Sequence, residues 1–280
     1  MIRLIGILVG LFFTGSVLAA FVNGAYTQIT EPPAATAEHE FHKHPKELHL
    51  QSDGPFGTYD RQQLQRGFQV YKEVCSACHS LKYVAFRDLE QLGYSEAELK
   101  AIAAGFQVPG VDPTTGEANS RPGLPTDYFP SPYPNDIAAR AANNNAIPPD
   151  LSLMTKARHD GAAYVYSLLT GFQDQPAELL RKFPDAKTPE GLHYNPYFAN
   201  LSLAMAPPLT SEGQVTYAEG QPKPTVDQMA KDVAAFLTWT AEPSLDKRKQ
   251  TGWPVLGFLL FATVLAYLAY RNIWADKKAH

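Results

Sequence analysis

The 280 residues could form one large or two small domains, but both ends are apolar, and subtracting them leaves one compact domain. A formal net charge of −4 excludes a nucleic-acid protein driven by a basic field. The acidic residues are scattered, so none of them marks a docking face.

Residues 1–20 carry a single basic residue, Arg3, then an apolar run over 4–13, then small residues such as Ser16, Ala19 and Ala20. Segment 1–19 reads as a bacterial secretory signal with a cleavage site in its small residues. An Arg- and Ser-rich mitochondrial presequence does not fit, and the thin basic end leaves an uncleaved anchor as the alternative. Residues 20–57 follow as an extended N-terminal arm, because 31–55 is Pro, His, Glu and Lys without sustained period. The histidines of this arm read as solvated rather than liganding.

The domain, taken as 58–246, opens at Asp60, which can cap a helix reciprocally with Gln63. Leu64, Phe68, Tyr71, Cys75 and Cys78 then recur at helical spacing, which places both cysteines on the buried face with His79 at the end. Gly67 lies beside Phe68, where a missing side chain lets a second helix cross closely.

Cys75-Ser76-Ala77-Cys78-His79 contains the only two cysteines and spells the c-type haem attachment signal C-x-x-C-H. Two thiols one turn apart can each add to a haem vinyl group, and the adjacent histidine then lies beneath the iron. One covalent haem c is therefore expected. A thioredoxin-like dithiol needs βαβ repeats that the sequence lacks, and a zinc site needs two more ligands. His39, His42, His44 and His49 could supply those, but they sit in the polar arm.

Ser95 with Glu98 precedes a short helix that Gly105 can end. Residues 107–149 are dense in Pro, Gly and Asn, too breaker-rich for regular structure, yet they hold Tyr128, Phe129 and Tyr133. Such loops can wrap a flat apolar cofactor; the plainer reading is a surface excursion. Asp150 is expected to cap a short helix to Arg158, and 162–170 reads as another closed by Gly171. Strand signal is confined to short pairs around 215–217. Thr225 with Gln228 announces a longer helix whose Met229, Val233, Phe236, Leu237 and Thr240 follow one stripe. Pro243 ends it, or 244–249 carries the chain helically onward.

Residues 251–270 run without a charge, and about 20 residues at about 1.5 Å each match a hydrocarbon core of about 30 Å. Trp253 and Trp274 flank this expected membrane span as interfacial aromatics. Basic residues stand on both sides, so charge leaves orientation open. Covalent haem is attached on the exported side, which places the head in the periplasm at the bacterial inner membrane and the tail, 271–280, in the cytoplasm.

Iron held by His79 needs an open position or a second ligand. Of the four methionines, Met1 belongs to the signal and Met229 to the core stripe. Met205 precedes Pro207 and Pro208, which fix the backbone and can aim a thioether rigidly. Met154, inside an expected helix, is the other candidate. Met/His ligation raises the haem potential and closes the iron to gases.

These residues resemble the cytochrome c1 family of the quinol-cytochrome c oxidoreductase, the cytochrome bc1 complex. The resemblance runs from about Arg66 to the span. It rests on Arg66-Gly67-Phe68-Gln69-Val70-Tyr71-Lys72, Tyr128-Phe129-Pro130, Tyr133-Pro134-Asn135, Arg140-Ala141-Ala142-Asn143-Asn144 and Pro148-Pro149-Asp150-Leu151-Ser152. Ala157-Arg158-His159, residues 164–171, Asn195-Pro196-Tyr197-Phe198, Met205-Ala206-Pro207-Pro208 and Ala241-Glu242-Pro243 continue it. It implies a mainly α protein, a class I cytochrome c-like domain with long loops around a covalent haem plus one C-terminal transmembrane helix. It further implies thioether roles for Cys75 and Cys78, iron ligation by His79 and Met205, a haem-propionate contact for Arg158, and a carbonyl of Pro148 or Pro149 on the His79 ring. The partners implied are cytochrome b, a Rieske iron-sulfur protein as electron donor, a soluble or tethered c-type cytochrome as acceptor, and membrane lipid, with no nucleic acid. Some bacterial members carry an extra cysteine pair for which this chain has no residues. An oxidase-feeding tethered cytochrome and a haem sensor or binding module are the rival readings.

Overall fold

The computed structural model describes residues 2–31, 34–275 and 277. In chain order its helices are α1 (Ile2–Thr30), α2 (Ala37–Phe41), α3 (Arg61–Glu73), α4 (Glu96–Ala104) and α5 (Asp136–Ala142). After these come α6 (Met154–Ala157), α7 (Gly161–Leu169), α8 (Ala177–Lys182), α9 (Val226–Ala241) and α10 (Leu245–Ile273). Strands β1 (Gln107–Val111) and β2 (Ala118–Pro122) pair antiparallel, as do β3 (His193–Tyr194) and β4 (Ser202–Leu203). The protein is mainly α.

The centre is the crossing of α3 and α9. Asp60 caps α3 by accepting from the N–H groups of Gln62 and Gln63, and Thr225 caps α9 by accepting from Gln228 N–H. Gln63 and Gln228 do not reach back to their caps; both side chains turn to Asp232 instead. The stripe Met229, Val233, Phe236, Leu237 and Thr240 is buried, and Phe68 and Tyr71 pack on Phe236 at ring distances of 5.7 and 5.8 Å. Gly67 permits this approach. A β-carbon there would lie 2.0 Å from the Asp232 carbonyl oxygen and 2.6 Å from the Phe236 β-carbon. Backbone cannot yield as a side chain can, so Gly67→Ala is expected to destabilise the domain by about 1–3 kcal/mol or more, read as a lowered denaturation midpoint.

Several sequence expectations are corrected. Helix α3 stops at Glu73, and Cys75–Ala77 form a single tight 3-10 turn, so the cysteines are half-buried rather than on a buried α-helical face. Side chains three apart nearly eclipse in such a turn, which keeps both thiols on one side. The tract 107–149 is not without regular structure: it contains the β1–β2 ribbon and α5, and Phe129 enters the main core. It is latched to the chain just after the motif by Phe129 N–H on the Val84 carbonyl (3.1 Å) and Phe86 N–H on the Asp127 carbonyl (3.0 Å). The strand expected at 215–217 is absent; Val215 is instead a core side chain.

The arm is neither extended throughout nor detached. Residues 20–30 continue α1, and Thr36 caps α2. Ala37 then joins Leu179, Tyr194 and Leu201 in a second apolar cluster. Lys46 inserts beside α7, its N–H on Ser167 Oγ (2.7 Å) and its ammonium on Thr170 Oγ1 (2.7 Å).

Helix α10 begins at Leu245, so the chain passes helically from the domain into the apolar stretch. Both α1 and α10 are long and apolar enough to cross a membrane, and neither is buried in those windows. At the α9–α10 joint, burial raises the Glu242 carboxyl, but hydrogen bonding to Arg248 and the charges of Lys156 and Arg248 hold it net below the usual range. A depressed folded value contributes stability that is full above about pH 4.3 and is lost as pH falls through the folded value. Wild type is therefore expected to lose more thermal stability than Glu242→Gln over that acid window; equal slopes would count against the joint.

Candidate functional site

The motif loop is fixed from three sides. The N–H groups of Cys78 and His79 both donate to the Cys75 carbonyl, at 3.1 and 2.9 Å, closing the turn. Tyr71, buried on α3, donates its hydroxyl to the His79 carbonyl at 3.0 Å. Asp150, expected as a helix cap, does not cap α6, which begins four residues later behind Leu153. Its carboxylate instead accepts from Ser80 Oγ (2.7 Å), Lys82 N–H (2.8 Å) and Ser152 N–H (3.0 Å), binding the segment after the motif to 150–152.

The His79 ring is oriented by the backbone. Its Nδ1 lies 2.7 Å from the Pro149 carbonyl oxygen. A carbonyl can only accept, so Nδ1 carries the proton and the Nε2 lone pair is directed away, free for a metal. Burial lowers the affinity of the ring for a second proton, against the opposing pull of the Pro149 bond and the Asp150 charge. The imidazole is thereby kept neutral, the form that ligates.

Both cysteines are half-buried, on one side of the turn. Burial, and then the neighbouring Cys78, push the Cys75 thiol up to about 12. That is the opposite of the acidified thiol that a dithiol oxidoreductase needs. Among the described residues no group of three or more His, Cys, Asp or Glu side chains is gathered to hold a metal, so the zinc reading finds no second ligand pair. Two thiols on one side of a turn, followed by an imidazole with Nε2 available, fit a haem that Cys75 and Cys78 would join by thioethers and His79 would ligate.

The structure brings together Cys75, Cys78, His79 and Pro149. It places Met205 half-buried in the loop after β4, held by buried Leu203 and Leu209 on either side and by Gln214, whose amide donates to the Pro208 carbonyl (2.8 Å). Met205 belongs to neither apolar cluster, whereas Met154 packs against the main core. Arg158 is exposed at the end of α6, its guanidinium donating to the Ala157 carbonyl (3.1 Å), and among the described residues it pairs with no carboxylate. From sequence, Tyr71 reads as a member of the core stripe and Asp150 as a helix cap, and neither pattern marks a site residue.

A Cytochrome C1 family model matches residues 50–277. The chain belongs to the cytochrome c1 family. It is 46% identical over 234 residues to cytochrome c1 of Rhodospirillum rubrum, covering 80% of this chain and 85% of that one. It is 43% identical over 249 residues to a mitochondrial cytochrome c1 heme protein of Saccharomyces cerevisiae, covering 89% of this chain and 75% of that one. A protein of Bradyrhizobium diazoefficiens named cytochrome b/c1 is 46% identical over 238 residues, 80% of this chain but only 34% of its own length. This chain therefore spans about a third of that relative. The family match includes the motif turn, the Pro149 loop, the Met205 loop and all of α10.

Proposed function

We propose that this chain is the haem subunit of a cytochrome bc1 complex, in which Cys75 and Cys78 would hold one haem c and His79 and Met205 would ligate its iron. In this role it passes one electron at a time from a Rieske iron-sulfur protein to a soluble or tethered c-type cytochrome, while anchored beside cytochrome b. The observation that carries the reading is the Pro149 carbonyl on His79 Nδ1, 2.7 Å, beside two thiols that share one side of a turn. Membership of the cytochrome c1 family supplies the physiological context.

When bound, the haem supplies a ferric–ferrous couple. The residues of the chain do the rest. Cys75 and Cys78 hold the group covalently, Pro149 fixes the imidazole tautomer and plane, and Tyr71 and Asp150 keep the loop from relaxing. Pro207 and Pro208 stiffen the backbone behind Met205, so the thioether is aimed at little entropic cost. Arg158 offers a guanidinium fork to a propionate. Segment 1–19 serves as an export signal, with the head in the periplasm of a bacterial inner membrane, α10 spanning and 271–280 cytoplasmic.

Extraction in mild detergent followed by pull-down of the full chain tests this directly. Cytochrome b and a Rieske protein are expected to copurify, with colour that survives acid-acetone treatment. Copurification of a terminal oxidase without them would replace the reading with an oxidase feeder, and ready carbon monoxide binding by the ferrous protein would favour a sensor.

A further inference from the structure

The loop 51–58 is bound to the first turns of α10. Lys249 Nζ donates to the carbonyls of Ser52 (2.6 Å) and Gly57 (3.1 Å), and Tyr59 N–H donates to the Asp246 carboxylate at 3.1 Å. Tyr59 Oη donates to the Glu242 carbonyl at 2.9 Å, tying the same segment to the end of α9. The loop is tight: a β-carbon at Gly57 would fall 2.0 Å from the Asp53 carbonyl oxygen, and Gly54 has φ +69°. Its tip is therefore held in one shape.

What it holds out is Phe56, 77% exposed, stacked on Trp253 at 4.9 Å with the rings 11° apart. Trp253 is itself 46% exposed and stands where the charged Lys247-Arg248-Lys249 gives way to the uncharged apolar stretch. An exposed phenylalanine on a rigid loop is costly in water. At the boundary of headgroups and acyl chains, where aromatic side chains concentrate, the same pair is favourable.

We propose that loop 51–58 is a second membrane contact, which seats Phe56 beside Trp253 in the lipid interface. The head is then mounted on the bilayer at two points rather than tethered by a swivelling helix. The occupant of this patch is lipid, because the patch is continuous with the exposed face of α10. The inference rests on α10 spanning a membrane.

Photo-crosslinking in native membranes separates the two. The full chain carries p-benzoylphenylalanine at Phe56 in one variant and at Leu260, exposed in mid-span, in another. Lipid adducts are expected from both positions. Lipid adducts at Leu260 with none at Phe56 would overturn the second contact, as would a polypeptide adduct at Phe56. No lipid adduct at either position would overturn the span itself. Because a bulky probe can disturb the loop, Phe56→Trp in a Trp253→Phe, Trp274→Phe background provides an independent reading. Its fluorescence should be quenched several-fold more by lipids brominated near the headgroup than by unbrominated lipid, with Trp239 buried as a constant background; equal intensity in both would overturn the proposal.

Discussion

Asp232→Ala is expected to cost about 3–5 kcal/mol, the range for breaking a buried ion pair by removing one partner. Asp232 is fully buried on α9 and faces α3. Its two oxygens accept from Arg66 Nε (2.8 Å) and Nη2 (3.1 Å), while Gln63 and Gln228 add amide hydrogen bonds at 3.1 and 2.9 Å. Alanine would leave the Arg66 guanidinium charged and nearly buried, with only Gln221 Oε1 (2.6 Å) and the face of Tyr217 for company. For a domain of this size, that loss lowers the melting temperature by on the order of 10 °C. Asp232→Asn, which keeps an acceptor, should fall between. The double change Arg66→Met with Asp232→Leu should recover much of the loss, since no charge is then stranded. If alanine shifted the melting temperature by less than a degree or two, the knot would be irrelevant to stability.

Met205→Leu should lower the midpoint potential by on the order of hundreds of millivolts, within the roughly 0.8 V that axial ligands control. The argument is one of availability. Met229 is wholly buried in the α9 stripe, and Met154 is packed against the main core, so both thioethers are occupied by side-chain contacts. Met205 is half-buried outside both clusters, in a loop stiffened by two prolines and tied by Gln214. Leucine keeps the bulk and removes the sulfur, so the ferrous form should also gain a carbon monoxide adduct. Met154→Leu should leave the potential nearly unchanged. Spectroelectrochemical titration of the full chain decides it, and the reverse pattern would move the ligand to Met154.

The cofactor signal, the family and the long helices are legible in the order of residues along the chain. C-x-x-C-H is contiguous, and caps such as Asp60, Ser95 and Thr225 act within four residues of themselves, so each was readable locally. The stripe of α9 and the close crossing at Gly67 were also legible, because helical periodicity and a missing side chain leave one-dimensional traces. What depends on residues far apart is fixed only in the assembled fold. Cys75 and Cys78 share one side because a 3-10 turn replaces the last α-helical turn, and the Tyr71 and Ser76 hydroxyls bond around that turn. Asp150 reads as a cap by spacing, yet its carboxylate is taken up by residues about seventy positions earlier. The same holds for the arm. Its polar composition suggests a linker, but Lys46 and Ala37 find partners beyond residue 160. Pairing across such separations costs loop-closure entropy that only the assembled core repays, and no local pattern records it.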